Sequence, residues 1–98
     1  MANTRMADPG ELRLPPGRQS GPDLWRLQEQ IGEFGAATES MPPILVTEGK
    51  NGELMINNGV TRAVRVHRQD PGKLVVVEII ETRPRADISR LRKVRDCP

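Results

Sequence analysis

Glu53 to Arg68, ELMINNGVTRAVRVHR, is the segment that decides the fold, because a short apolar run meets Asn57-Asn58-Gly59 and a basic, helix-like segment follows. An Asn-Gly pair favours positive φ, so we expect a strand to turn into a helix at Gly59. The first backbone N–H groups of a helix have no partner within it and attract anions. Arg62 would lie beside these groups. The sequence therefore predicts an anion site at this turn.

Downstream of the turn, Val60 to Arg68 has helical spacing, with Arg62, Arg65 and Arg68 along one helix face. These arginines form either a solvated face, which is the more common case, or a stripe for a phosphate chain. The apolar run LVVVEII, Leu74 to Ile80, predicts a largely buried strand. The order strand, helix, strand from Met55 to Ile80 is typical of a crossover between parallel strands.

Several residues in and near this segment can be explained either by a structural role or by a functional one. A turn requirement alone would explain Gly59, and a carboxylate partner would explain Arg62. His67, the single histidine, is interpreted as a partly buried helix residue. We expect Glu78 to pair with an arginine of the Arg62 helix or, if it points into the Gly59 cleft, to serve as a base.

Upstream of the turn, weaker signals predict the remaining elements. Residues 1–10 are interpreted as a flexible lead and Glu11 to Leu14 as an edge strand. Ser20 and Asp23 offer a capping box for a helix that ends at Gly35. Its apolar stripe comprises Leu24, Leu27, Ile31 and Phe34, and Trp25 is expected at the rim of the core. Ile44 to Thr47 and Glu53 to Ile56 form a hairpin.

The C-terminal part is basic, and Ile88, Leu91 and Val94 predict a short helix from Asp87 to Arg95. Six basic residues offer electrostatic attraction to nucleic acid: Arg83, Arg85, Arg90, Arg92, Lys93 and Arg95. A solvated helix face is the more common explanation of such a basic tail. The predicted fold is α+β, a small mixed β-sheet with about three helices, divided into a lead (1–10), a domain (11–82) and a tail (83–98).

Composition excludes several classes of site. The chain has 98 residues, a net charge of +2 and one cysteine, Cys97, so it has no disulfide framework and no zinc-type Cys/His cluster. Aromatic residues make up 2%, which disfavours modules that stack single-stranded bases. No apolar run is long enough to span a membrane, and we expect a cytoplasmic protein.

The segments LWRLQEQIGEFG, PPILV, GELMINNGVTRA and VVVEII together resemble the ParB/sulfiredoxin-like (ParB N-terminal-like) superfamily over Leu12 to Ile80. The ParB motif Gly-Glu-Arg-Arg helps to bind a nucleoside triphosphate, and Gly59 and Arg62 match its ends. Val60 and Thr61 replace its two middle residues. Val60 also replaces the reactive cysteine of sulfiredoxins, and the histidines and acid of nuclease-like relatives are missing.

The resemblance implies a phosphate-binding module that uses Asn58, Gly59, Thr61, Arg62 and Arg65, with no catalytic residue. A nucleotide with magnesium is the candidate ligand, and nucleic acid is an alternative. A second hypothesis is a degenerate module that binds protein through the basic tail or the loop 36–43. The third is an enzyme acting on a nucleotide or phosphodiester, with Glu48, Glu53, Glu78 or Glu81 supplying the missing carboxylate.

Overall fold

A computed structural model of the chain describes residues 3–97, which form a four-stranded mixed sheet and two α-helices. The elements are β1 (Thr4–Ala7), α1 (Leu24–Phe34), β2 (Ile44–Glu48), β3 (Leu54–Asn58), α2 (Val60–Gln69) and β4 (Val75–Thr82). Single turns of 3-10 helix occupy Pro9–Glu11, Pro16–Arg18 and Val94–Asp96. The α+β class with a small mixed sheet is confirmed.

The sheet has the strand order β1-β4-β2-β3. The predicted hairpin forms, since β2 pairs antiparallel with β3 and Gly49 N donates to Glu53 O at 2.8 Å. Helix α2 then joins β3 to β4, but these strands are not neighbours; β4 pairs parallel with β2. The expectation of a crossover between parallel strands is therefore wrong. Strand β3 is antiparallel to β2 and lies at the edge of the sheet, so β2 separates it from β4.

Strand β4 is buried on one face only. Val75, Val77 and Ile79 belong to the core, whereas Val76 and Ile80 are 41% and 51% exposed. The core joins these inward side chains to apolar residues of both helices, including Leu27 of α1 and Val64 of α2. The prediction of a largely buried strand is thus corrected: helices pack against one side of the sheet, so alternate residues of β4 face solvent.

Helix α1 begins after Asp23, whose Oδ1 accepts a hydrogen bond from Trp25 N at 2.9 Å, so Asp23 rather than Ser20 is the N-cap. Gly35 ends the helix with φ 55°. Of the predicted stripe only Leu27 is buried, and Trp25 is 70% exposed instead of covering the rim of the core. Helix α2 packs against only one side of α1, so Leu24 and Phe34 of the predicted stripe remain exposed.

The N-terminal lead is partly a strand: residues 4–7 pair antiparallel with β4. Glu11 to Leu14 is not an edge strand, but Arg13 bridges β3, donating from its N to Leu54 O at 2.8 Å and accepting from Ile56 N at 2.9 Å. Met1 and Ala2 lie outside the described residues.

The predicted C-terminal α-helix is absent. Asp87 accepts hydrogen bonds from the backbone N and hydroxyl of Ser89, which closes a local turn. The chain then runs alongside residues 12–14, with Leu14 N donating to Arg92 O and Val94 N to Leu12 O. This backbone pairing replaces the hydrogen bonds of a helix and buries Val94.

None of the helices described has the length and hydropathy of a membrane span.

Candidate anion-binding site

A cleft of about 240 Å³ opens where β3 passes into α2 and α1 lies alongside. The turn and first helical residues, 57–62, line one side. Arg18, Arg26 and Gln30 line the other, together with Pro15. The described residues of this lining include three arginines and no carboxylate, so the cleft is suited to an anion.

Gly59 makes the turn, with φ 116° and ψ 22°, in the left-handed region. A Cβ there would lie 2.8 Å from Arg62 Nη2 and 3.2 Å from Ile44 Cγ1. No side chain caps the N-terminus of α2, and its first turn contains no acidic residue. The first N–H groups of α2 are therefore left for water or a ligand, as the sequence predicts.

Arg62 lies in the first turn of α2, where the helix dipole disfavours a cation that has no nearby anion. Its Nη2 donates to Pro43 O at 3.3 Å, and its buried Nε has no hydrogen-bond partner among the described residues. Burial lowers the pKa of Arg62, although a guanidinium stays protonated at neutral pH. A partly desolvated cation with a spare donor is a strong partner for a phosphate oxygen.

Arg18, Arg26 and Gln30 reach the cleft although sequence reasoning did not select them. Arg26 and Gln30 are four residues apart on α1 and so share a helix face, while Arg18 ends the 3-10 turn Pro16–Arg18. The side chains of Arg18 and Arg26 form no ion pair among the described residues. The spacing of Arg26 and Gln30 was visible in the sequence, but nothing local placed this face beside Gly59.

Arg65 does not join the cleft. Its side chain is 2% exposed, and Nη1 donates to Gly35 O and to Ala37 O, both at 2.9 Å. The guanidinium also lies 5.3 Å from the centre of the Phe34 ring. Burial, and then the charge of Arg62, lower the pKa of Arg65. The expected arginine stripe is therefore not formed, because Arg65 anchors the loop after α1 and Arg68 lies outside the cleft lining.

The basic residues of the tail are mostly engaged with the rest of the chain. Glu11 pairs with Lys93 at 2.7 Å and with Arg95 at 2.8 Å. Arg83 pairs with Glu81 at 3.0 Å, and Arg92 Nη1 donates to Gln19 O at 3.0 Å. Arg85 and Arg90 are exposed. Three of the six cations form ion pairs, with two carboxylates between them, and attraction of a polyanion by the six stays a prediction.

None of the four carboxylates that could replace the missing catalytic acid lines the cleft. Glu48 pairs with Arg5, Glu53 with Arg13, and Glu81 with Arg83. Glu78 stands beside Thr4 of β1 and Leu45 of β2, and it forms neither the predicted pair with the Arg62 helix nor a contact with the cleft. Its alternating neighbours Val77 and Ile79 face the core, so Glu78 lies on the opposite face of the sheet.

The single histidine and single cysteine also lie away from the cleft. His67 is half-buried, as expected, and packs close to Gly10. Cys97 is half-buried beside Ser20 and Gly21. Within residues 3–97 no group of three His, Cys, Asp or Glu side chains is placed to hold a metal ion.

No protein-family model and no curated protein matches this sequence. The described lining combines three arginines, the uncapped start of α2 and four neutral polar side chains, Gln30, Asn57, Asn58 and Thr61.

Proposed function

We propose that this chain is a ParB-like binding module that holds a phosphate of a nucleotide or nucleic acid in the cleft at Gly59. The observation that carries the proposal is the convergence of Arg18, Arg26 and Arg62 on an uncapped helix N-terminus, in a cleft without acidic lining. Backbone N–H groups at a helix start and arginine forks are both common phosphate-binding groups.

Each group has a distinct part in this proposal. The first N–H groups of α2 donate to phosphate oxygens, and Gly59 lets the ligand and Arg62 approach the backbone closely. Arg62 supplies the fixed, partly buried charge. Arg18 and Arg26 are exposed and supply longer-range attraction, while Asn58 and Thr61 add neutral hydrogen bonds.

The proposed module is non-catalytic. Phosphoryl transfer and phosphodiester hydrolysis use a base or a metal-binding carboxylate close to the phosphate, and the described lining contains none. Magnesium would therefore arrive with the phosphates of the ligand, which is how this ion is commonly held. An enzyme that acts on a nucleotide remains the third hypothesis. We also propose that the protein is cytoplasmic.

A second candidate function, protein binding, is favoured by the outer face of the sheet. Met6 of β1 lies directly opposite Val76 of β4, and both are exposed. Leu74, which immediately precedes β4, and Ile80 within β4 are also exposed, with exposed fractions of 53% and 51%. Adjacent exposed apolar side chains are common at sites of protein association.

The test is an amide-resolved NMR titration of the whole chain with ATP, CTP and a short DNA duplex, each with magnesium and at two salt concentrations. We expect shifts centred on Asn58 to Arg62 and their loss in Arg62→Ala. Arg90→Ala is the matched control, because Arg90 is an exposed arginine outside the cleft.

Three other outcomes would redirect the assignment. Salt-sensitive shifts confined to residues 83–95 would indicate nonspecific attraction of polyanions by the tail. Silence with every ligand would eliminate the phosphate site and leave the protein-binding alternative. Turnover of a nucleotide by the wild type, lost in Arg62→Ala, would establish the enzyme hypothesis.

A further inference from the structure

The outer face of the sheet, which is the side turned away from the helices, carries apolar side chains around one carboxylate. Met6 of β1 lies opposite Val76 of β4, and both are exposed, as is Ile80. Leu45 of β2 is half-buried and stands beside Glu78 of β4 in the register of the two strands. Glu78 therefore lies within an apolar surface that extends over three neighbouring strands.

Strand β4 has the composition of a strand that is covered on both faces. Its run LVVVEII is nearly continuous in apolar residues, and strands of this composition in parallel sheets are buried on both sides. Strand β4 also lies between two other strands and pairs parallel with β2. The single chain covers only the side of β4 that carries Val75, Val77 and Ile79. The outer face is thus suited to a second layer that another molecule would supply.

The carboxylate of Glu78 decides which charge that molecule carries. Glu78 is half-buried, and its side chain forms no ion pair or hydrogen bond with the described residues. A layer that covers Met6, Val76 and Ile80 would also remove water from this carboxylate. Desolvation of a carboxylate is costly unless a cation pairs with it. The occupant of the face therefore has to bring a cation to Glu78.

A second copy of this chain does not meet that requirement. A two-fold dimer uses the same surface on both copies, so a face-to-face dimer would bury two Glu78 carboxylates. The arginines of the strand ends are already engaged, since Arg5 pairs with Glu48 at 3.7 Å and Arg83 pairs with Glu81 at 3.0 Å. Charge complementarity thus favours a different polypeptide, one that carries a lysine or an arginine among apolar side chains.

The dimensions of the apolar surface match those of an α-helix. Neighbouring strands lie about 4.8 Å apart, so a surface over β1, β4 and β2 is about 10 Å wide. From Val76 to Ile80 it is about 13 Å long. An α-helix with its side chains is about 10–12 Å across and covers this length with about nine residues.

We propose that the outer face of the sheet binds an amphipathic α-helix of another protein, and that a lysine or arginine on the apolar side of this helix pairs with Glu78. Apolar side chains of the helix cover Met6, Val76 and Ile80. This inference does not depend on the phosphate site; it rests on the protein-binding alternative and adds the chemistry of the partner. The cation distinguishes this partner from apolar helices in general.

The test uses two synthetic peptides as probes, each of about 18 residues, which is long enough to form a helix in isolation. Both have the same stripe of leucines, and they differ only in a lysine or a glutamate at the centre of that stripe. Each is titrated into the whole chain by amide-resolved NMR, with the wild type, Glu78→Lys, Glu78→Gln and Val76→Thr. Glu29→Lys is the matched control, because Glu29 is an exposed acid of α1.

We expect shifts centred on residues 4–6, 45 and 76–80. The lysine peptide should bind the wild type about tenfold more tightly than the glutamate peptide, because an attractive contact replaces a repulsive one at a partly desolvated charge. Glu78→Lys should reverse this preference, and Glu78→Gln, which keeps nearly the same size, should abolish it. Val76→Thr should weaken both peptides. Glu29→Lys should keep the preference within about twofold of wild type, since the charge is distant and screened by salt.

Binding at residues 76–80 with equal affinity for the two peptides would overturn the pairing with Glu78 and leave the protein-binding alternative standing. The absence of shifts at this face with either peptide would remove both. Sedimentation of the wild type as a dimer that dissociates in Val76→Lys would assign the face to a second copy, and this would also overturn the proposal. The phosphate site is tested separately, so its failure leaves this inference unaffected.

Discussion

The side chain of Arg62 lies so close to Gly59 that a single added carbon on the glycine would collide with it, at 2.8 Å from Nη2. The same glycine has φ 116° and precedes the uncapped first turn of α2. Gly59 thus serves two purposes: it makes the strand-to-helix turn, and it lets the guanidinium lie beside free backbone N–H groups. The turn and the proposed anion site thus both depend on the absence of a Cβ at Gly59.

Replacing Gly59 by alanine separates backbone strain from this contact when it is compared with Gly72→Ala. Gly72 also has positive φ, at 90°, but a Cβ there would meet nothing within 4 Å. We expect both changes to lower the free energy of unfolding by about 1–2 kcal/mol through backbone strain. Gly59→Ala should cost somewhat more, because the buried Ile44 Cγ1 at 3.2 Å must shift, and it should also weaken phosphate binding, because the Arg62 guanidinium must move away. Urea denaturation and titration with inorganic triphosphate measure the two effects, and unchanged phosphate affinity in Gly59→Ala would contradict the role given to Arg62.

Removing Arg18 or Arg26 should weaken phosphate binding without affecting stability. Both side chains are exposed and line the cleft, so each alanine variant should lose about two- to fivefold in affinity for inorganic triphosphate at low salt. Raising the salt concentration should shrink the difference from wild type. Calorimetric titration at 20 and 200 mM salt measures this, with Arg90→Ala as the control; an equal loss in Arg90→Ala would mean that the attraction is not local to the cleft.

Arg65 should prove structural. Arg65→Met removes two hydrogen bonds to loop carbonyls and the contact with Phe34, so we expect the free energy of unfolding to fall by about 2–3 kcal/mol. Arg26→Ala, an exposed arginine change on α1, should stay within about 0.5 kcal/mol. Thermal and urea unfolding provide the measurement. A stable Arg65→Met variant would show that the loop 35–41 does not depend on this anchor.

Neighbouring valines of β4 test the one-sided sheet. Val77 is fully buried and Val76 is 41% exposed, although both occupy the same strand. Val77→Thr buries a hydroxyl and should cost about 1–3 kcal/mol, whereas Val76→Thr should cost less than about 0.5 kcal/mol. Chemical denaturation compares the pair. Similar costs at both positions would indicate that the outer face is covered in solution, as in the protein-binding alternative.

Acid should weaken the link between Glu11 and the tail. The hydrogen bond from Lys93, opposed by desolvation and aided by the charge of Arg95, holds the pKa of Glu11 below its ordinary value of 4.5. The carboxylate therefore stabilises the fold above pH 4.5, and this contribution is lost as pH falls through the lower folded-state pKa. We expect Glu11→Gln to be slightly less stable than wild type at pH 7, with the gap closing on acidification. Urea unfolding between pH 7 and pH 3 tests this, and a gap that widens in acid would contradict it.

Local signals were sufficient for the elements around Gly59. The hairpin from Ile44 to Ile56 and the helix after Gly59 follow from turn residues and apolar spacing that act within a few positions. Asn58, Gly59, Thr61 and Arg62 line one cleft because a single turn holds them, and their binding of a phosphate stays a prediction.

The predicted and observed elements differ where the backbone pairs with residues that are distant in the sequence. Residues 4–7 became a strand because β4 offered a free edge, and residues 92–94 stayed extended because residues 12–14 did. The apolar run LVVVEII could not reveal that helices would cover only one of its faces. Burial depends on what packs against a residue, which its own neighbours in sequence do not specify.

The sequence by itself determined a strand-to-helix turn at Gly59, with free N–H groups and Arg62 beside it, since every part lies within six residues. Only the tertiary structure decided which other arginines share that site. Arg18 and Arg26 line the cleft although each is more than thirty residues from Gly59 in the sequence. Arg65, which is close to Gly59 in the sequence, instead donates to a backbone carbonyl of the loop after α1. The physical reason is that tertiary packing decides which side of a helix is buried. The hydrogen-bond acceptors and charges within reach then decide where a long cationic side chain lies.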